Sequence, residues 1–133
     1  LAYFHAGMAY FRLGRYDEAI EIIRKGHLYI ASPGWGDDVV LLSSLKKGDR
    51  EAALRIQAEM LELRKKAPVS AVSLAFSFAA LGDLDRAFEW LETAVQDRDS
   101  VITIFHVYTE FVAPELLTDP RFPALLDRLG LPR

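Results

Sequence analysis

Leu13-Gly14-Arg15-Tyr16-Asp17-Glu18-Ala19-Ile20 decides how this chain is read. The glycine can take positive φ and close one helix. The acidic pair then sits in the first turn of the next helix, where negative charge favours the positive end of the helix dipole. The same phrase returns as Lys47-Gly48-Asp49-Arg50-Glu51-Ala52-Ala53-Leu54 and as Leu81-Gly82-Asp83-Leu84-Asp85-Arg86-Ala87-Phe88. Gly14, Gly48 and Gly82 stand 34 residues apart, and Ala19, Ala53 and Ala87 keep that interval. A fixed period of this length marks a stack of identical supersecondary units. Each unit is a tight turn between two helices.

The flanks carry the same period. Before Gly14, Tyr3, Gly7 and Tyr10 fall at i, i+4 and i+7; Ala71, Ala75 and Phe78 take those places before Gly82. After the turn, Ala19, Ile23 and Gly26 recur as Ala87, Leu91 and Ala94. Small residues in these slots let two antiparallel helices approach, and large ones fill the space beside them. This pattern resembles the tetratricopeptide repeat over residues 1–99. The middle copy departs most: Leu41 and Met60 stand where small residues are usual, Ser44 replaces an aromatic and Gln57 a large apolar residue. A splayed second hairpin is the expectation.

The resemblance implies an all-α fold, a right-handed α-solenoid of three hairpins with C-terminal capping helices. The whole is expected to be one domain, with hairpins over residues 1–33, 34–67 and 68–99 and a capping segment over 100–133. Helices are expected near 2–13, 16–30, 36–47, 49–66, 69–81 and 84–97. Ser32-Pro33-Gly34 and Pro68 separate the hairpins. Beyond residue 100 the period stops. Val101, Ile104, Phe105, Tyr108, Phe111 and Val112 form a helical stripe, although the β-branched content also admits a strand. Asp119-Pro120 then offers a cap and a first-turn proline. Phe122, Leu125, Leu126 and Leu129 share a face, and Gly130-Leu131-Pro132 ends the helix. Such a helix covers the last exposed face of a repeat stack. The stretch from Asp119-Pro120-Arg121-Phe122 to Leu129-Gly130-Leu131-Pro132 also resembles the tails of bacterial multidomain proteins with C-terminal tetratricopeptide arrays. Those include regulators with winged-helix, kinase or cyclase modules upstream.

Composition narrows the function classes. The 133 residues suffice for a core, 51% are hydrophobic, and the 26% that are charged are interspersed among them. A net charge of −3 argues against nucleic acid as a partner. The basic run Arg64-Lys65-Lys66 falls at a helix end, where cations complement the dipole. No apolar run is long enough to span a bilayer, so no membrane partner is expected. The absence of cysteine excludes disulfides and thiolate sites, and fits a reducing, cytoplasmic location. The chain opens on Leu1 inside a helical pattern, as a segment of a longer protein would.

Catalytic patterns are missing. His5, His27 and His106 are isolated, and none shares a metal-ligand spacing with another ligand. The three turn glycines close helices rather than cradle phosphate. Ser70, Ser73 and Ser77 share a helix with no nucleophile motif around them. Asp17, Glu18, Asp83 and Asp85 read as first-turn charges. Neither a catalytic centre, a metal nor a cofactor is expected.

The period does locate a partner surface. The first helix of each hairpin carries a second stripe: Phe4, Met8, Phe11 and Arg12, then Asp38, Leu42, Leu45 and Lys46, then Val72, Phe76, Ala79 and Ala80. By the resemblance, this stripe lines the concave face, with Trp35 near one edge. Family members that bind chaperone tails hold the terminal carboxylate with Lys, Arg and Asn here. Phe4, Met8, Leu42, Val72 and Phe76 occupy those slots, so that clamp is absent. An apolar groove suits an amphipathic helix or an apolar peptide. The stripe is equally open to burial by the chain itself or by a second copy in a homodimer. A non-catalytic protein-interaction module, a self-association module, and a small-molecule sensor or enzyme pocket on that face are the three readings.

Overall fold

The structure, a computed structural model, describes residues 2–103 and 105–132, without the side chains of His106 and Val107. Among them it is all-helical. The helices are α1 (Ala2–Arg12), α2 (Tyr16–Gly26), α3 (Asp37–Lys46), α4 (Arg50–Arg64), α5 (Ala71–Ala80), α6 (Leu84–Gln96), α7 (Phe105–Val112) and α8 (Arg121–Leu129). Short 3-10 turns occupy Ser100–Thr103 and Pro114–Thr118. The chain divides into two compact units, Leu1–Val69 and Ser70–Arg133.

Each repeated phrase folds into the same turn. Gly14, Gly48 and Gly82 have φ of 76°, 88° and 91°. The residue after each glycine donates its N–H back across the helix end: Arg15 to Tyr10 O, Asp49 to Ser44 O and Asp83 to Phe78 O, each at 2.9 Å. This is the glycine-terminated helix end that satisfies orphan carbonyls. The following helix is then capped. Asp49 accepts from Ala52 N at 3.0 Å and Asp83 from Arg86 N at 3.1 Å. Asp83 is therefore an N-cap rather than a first-turn charge; Asp17, Glu18 and Asp85 do lie in first turns. Arg15 makes no side-chain cap bond and instead pairs with Glu18.

In the first unit, α1 pairs with α2 and α3 with α4, and α2 also packs on α3. A methyl added at Gly7 would stand 2.6 Å from Ile23 Cδ1, which is why the slot is small. Ala19, Ile23, Leu41, Ala53 and Met60 are all fully buried. Leu41 and Met60 thus fill the second hairpin where the first leaves its helices to touch through Gly7 and Gly26. The second helix of the first hairpin is shorter than expected. It ends at Gly26, and Tyr29 and Ile30 both donate to Gly26 O as the chain turns away. Asp17 and Lys47 join the turns of the two hairpins, and Arg64 ties the end of α4 to Val69 O at 2.6 Å.

In the second unit, α5 and α6 cross through Ala71, Ala75, Ala87 and Ala94, all fully buried. The segment after residue 100 is helical, not a strand, but it is broken. Ile102, Phe105, Thr109 and Val112 are the buried residues there, whereas Val101, Tyr108 and Phe111 are only half-buried. Ile104 lies outside the described residues. The 3-10 turn at Pro114–Thr118, which buries Leu116, was not legible as an element. Helix α8 buries Phe122, Leu125 and Leu126, each contributing about 1.5–3 kcal/mol. Phe122 meets Phe105 edge-on at 5.7 Å between ring centroids. Asp119 accepts from Arg121 N, and the Arg121 guanidinium lies 4.4 Å over the Phe88 ring while pairing with Asp85 and Asp119 at 2.9 Å. Arg128 pairs with Glu92, two turns of α6 beyond Asp85. Gly130, at φ 68°, ends the helix.

Candidate functional site

The stripe expected to face a partner divides by burial. In the first unit, Met8, Phe11, Asp38 and Leu42 are buried; Phe4, Trp35 and Leu45 are half-buried, and Arg12 and Lys46 are exposed. In the second unit, Val72 and Phe76 are buried. The reason lies in the helices. Every residue of α5 except Ser73 and Ala80 is buried, and so is α3 from Asp38 to Ser44. Helix α5, apolar nearly all round, sinks on all sides, whereas α3 buries Asp38, Ser43 and Ser44 along with its apolar residues. Of the stripe, Phe4, Trp35, Leu45 and Ala80 keep partial exposure, and Arg12 and Lys46 are exposed.

Trp35 organises that edge. Its ring lies against Gly26, where an added Cβ would be 2.6 Å from Cζ3. It packs on Phe4 at 6.2 Å between centroids and meets the His27 ring edge-on at 5.9 Å. Beside it Tyr3 and Tyr29 stack at 5.8 Å with their planes 10° apart. Leu28 and Tyr29 are 78% and 73% exposed, so the turn leaving α2 adds an apolar shoulder to the same hairpin. His5 and His27 are both exposed, in keeping with a surface placement; the His106 side chain lies outside the described residues.

A cavity of about 530 Å3 also lies in the first unit, lined by the end of α2, the loop after it, the start of α3 and the second half of α4. Its floor is aliphatic, with Val40, Ile56 and Leu63. Its rim is charged with both signs: Arg24 and His27 come from the end of α2, Asp37 from the first turn of α3 and Glu59 from the middle of α4. His27 Nε2 donates to Trp35 O at 2.5 Å and stands 3.5 Å from Asp37 Oδ1. Burial pushes the Asp37 carboxyl above its ordinary range; His27 and Arg24 work against that, and Glu59 adds to it. Sequence reading missed this site because its residues fall in three helices with no shared spacing. The one available signal was a glycine at position 26 where Met60 and Ala94 stand in the other copies. Among the described residues, no group of three or more His, Asp and Glu is placed to hold a metal ion. No described helix is long and apolar enough to cross a membrane.

Two family models match the chain, both described as tetratricopeptide repeat, one over residues 1–30 and the other over residues 68–93. No curated protein and no solved structure matches it. The unmatched middle is the hairpin that carries Leu41, Ser44, Gln57 and Met60 in unusual slots. Repeats of this family generally mediate protein–protein interaction. With three helix–turn–helix units in phase, two of them matched by family models, the chain is a tetratricopeptide-repeat protein.

Proposed function

We propose that the chain is a non-catalytic protein-interaction module whose partner docks on the first unit, along Phe4, Trp35 and Leu45. The observation that carries this reading is the half-exposed aromatic edge at Phe4 and Trp35, with exposed Arg12 and Lys46 at matching repeat positions at the ends of α1 and α3. Packed aromatic side chains with a polar rim are what a binding edge needs, and their mutual packing leaves little ordering entropy to oppose association. The two cations select a partner with acidic residues beside its apolar face, an amphipathic helix or peptide. Met8, Phe11 and Leu42 of the same unit are buried and so are not part of the docking edge.

Selection of binders from a displayed peptide library tests the reading. Enriched peptides should combine apolar residues with Asp or Glu. Their binding should weaken by about tenfold or more with the Arg12→Glu, Lys46→Glu pair and fall with added salt. Binders that survive both the charge reversal and Phe4→Ala would place the contact elsewhere. Light scattering over a range of concentrations is expected to return the mass of one chain, because Met8, Phe11, Leu42, Val72 and Phe76 of the stripe are already covered. A stable dimer would instead assign the edge to a second copy.

A further inference from the structure

The cavity over α3 holds a combination that helix stability does not require. Arg24 at the C-terminal end of α2 and Asp37 at the N-terminal end of α3 each suit the local dipole. Glu59 does not, since it lies in the interior of α4. Arg24 and Glu59 line the same cavity, yet among the described residues neither side chain makes a hydrogen bond or an ion pair, and each acts on Asp37 only through its charge. Two opposite charges share one concavity without meeting, above an aliphatic floor of Val40, Ile56 and Leu63. The volume lies within the roughly 300–1,000 Å3 typical of small-ligand sites, which pair an apolar lining with a few convergent polar groups.

We propose that this cavity binds a small zwitterion with a short aliphatic body, of the amino-acid class, whose ammonium faces Asp37 and Glu59 and whose carboxylate faces Arg24 and His27. The arrangement uses each charged group on the rim. The ammonium meets the two carboxylates contributed by α3 and α4. The carboxylate meets the side chains at the end of α2, where a guanidinium can offer two parallel donors. The aliphatic body covers Val40, Ile56 and Leu63 and removes apolar surface from water. The desolvated Asp37 carboxyl gains a cation at a place where burial disfavours its charge. A ligand bearing one charge leaves half of the rim unmatched, so discrimination against such analogues is part of the proposal. The site is separate from the Phe4–Trp35 edge, but His27 contributes to both: it donates to Trp35 O while lining the cavity. A bound carboxylate competing for His27 therefore reaches the edge through one hydrogen bond.

Calorimetric titration of the whole chain with L-leucine tests this, with L-leucinamide and 4-methylpentanoate as single-charge probes and Trp35 fluorescence as a second readout. L-leucine should bind saturably and more tightly than either analogue. Glu59→Gln and Arg24→Gln should each weaken it by about tenfold. Both side chains are exposed and make no bond in the fold, so the melting midpoints should not move. The proposal is overturned if no saturable binding occurs, if both analogues bind as well as leucine, or if Glu59→Gln and Arg24→Gln bind it like the parent chain.

Discussion

At the start of α5, Ser70 holds the cap position and accepts from Ser73 N at 3.4 Å, while Asp99 returns from beyond α6 to take hydrogen bonds from Ser70 Oγ and Ala71 N. The other oxygen of Asp99 accepts from Val101 N at 3.0 Å. Thirty-four residues earlier the same frame holds Gly36 at φ 76°, with no side-chain cap bond, followed by Asp37. Lys65 stands where the third hairpin has Asp99. The third hairpin closes its open end with a carboxylate that binds backbone N–H groups. In the second hairpin no carboxylate holds that position; Asp37, at the start of α3, lies 3.5 Å from His27 instead, and a cavity remains beside α2, α3 and α4. A repeat fixes how two helices cross, but the residues at the open end determine whether that end becomes structure or a site.

Exchanging the caps should have the largest effect. Were position 36 only a cap slot, Gly36→Ser would import the residue of Ser70 and stabilise α3. Instead it should cost about 3 kcal/mol, from left-handed strain together with overpacking, because an added Cβ would stand 2.6 Å from Ile23 Cγ2. Chemical denaturation reads this directly, and a stabilised variant would mean that the second hairpin can be capped like the third. Removing the latch is the next largest effect. Asp99→Ala deletes the acceptor for three donors and should cost about 2 kcal/mol. Hydrogen exchange should then show the first turn of α5 opening ahead of the rest of the second unit.

A smaller contrast lies inside the helices. Ser77 donates to Leu74 O at 2.7 Å, while Ser43, its counterpart one period earlier, is fully buried with no partner for Oγ among the described residues. A buried hydroxyl left unsatisfied is a net cost. Ser43→Ala should therefore raise stability by about 1 kcal/mol, and Ser77→Ala should lower it by a similar amount. Equal changes at the two positions would show that the repeat frame alone sets their environments.

What sequence made legible follows the same line. The turns at Gly14, Gly48 and Gly82, the small slots at Ala19, Ala53 and Ala87, and the apolar face of α8 each depend on local φ preference or helical spacing, and each was readable. The Asp99 latch spans 28 residues to Ala71 and has no periodic partner, so nothing in the spacing announced it. The depth of Val72 and Phe76 depended on how completely α5 is covered, which an apolar stripe alone cannot say. The cavity was hidden for a related reason. Arg24, Asp37 and Glu59 each look like ordinary helical surface charges until three helices bring them around one space.

The finest test of the contrast is the titration of Asp37. Burial raises its carboxyl above the ordinary range, opposed by His27 and Arg24 and reinforced by Glu59. Between the unfolded value and the raised folded value, the native state holds more protons than the unfolded state. The stability contributed by this group is thus fully present at low pH and lost as pH rises through the folded value. Asp37→Asn removes that dependence. Its melting midpoint should gain on the parent chain as pH rises from about 3 through the carboxylate range, by less than about 1 kcal/mol since solvent screens a partly exposed group. A gap of the opposite sign would mean that His27 and the start of α3 already hold the charge, and the second hairpin would then be closed ionically, much as Asp99 closes the third. Saturating L-leucine sharpens the same measurement. An ammonium beside Asp37 favours the charged carboxylate, so the ligand should flatten the pH dependence of the parent chain and leave that of Asp37→Asn unchanged.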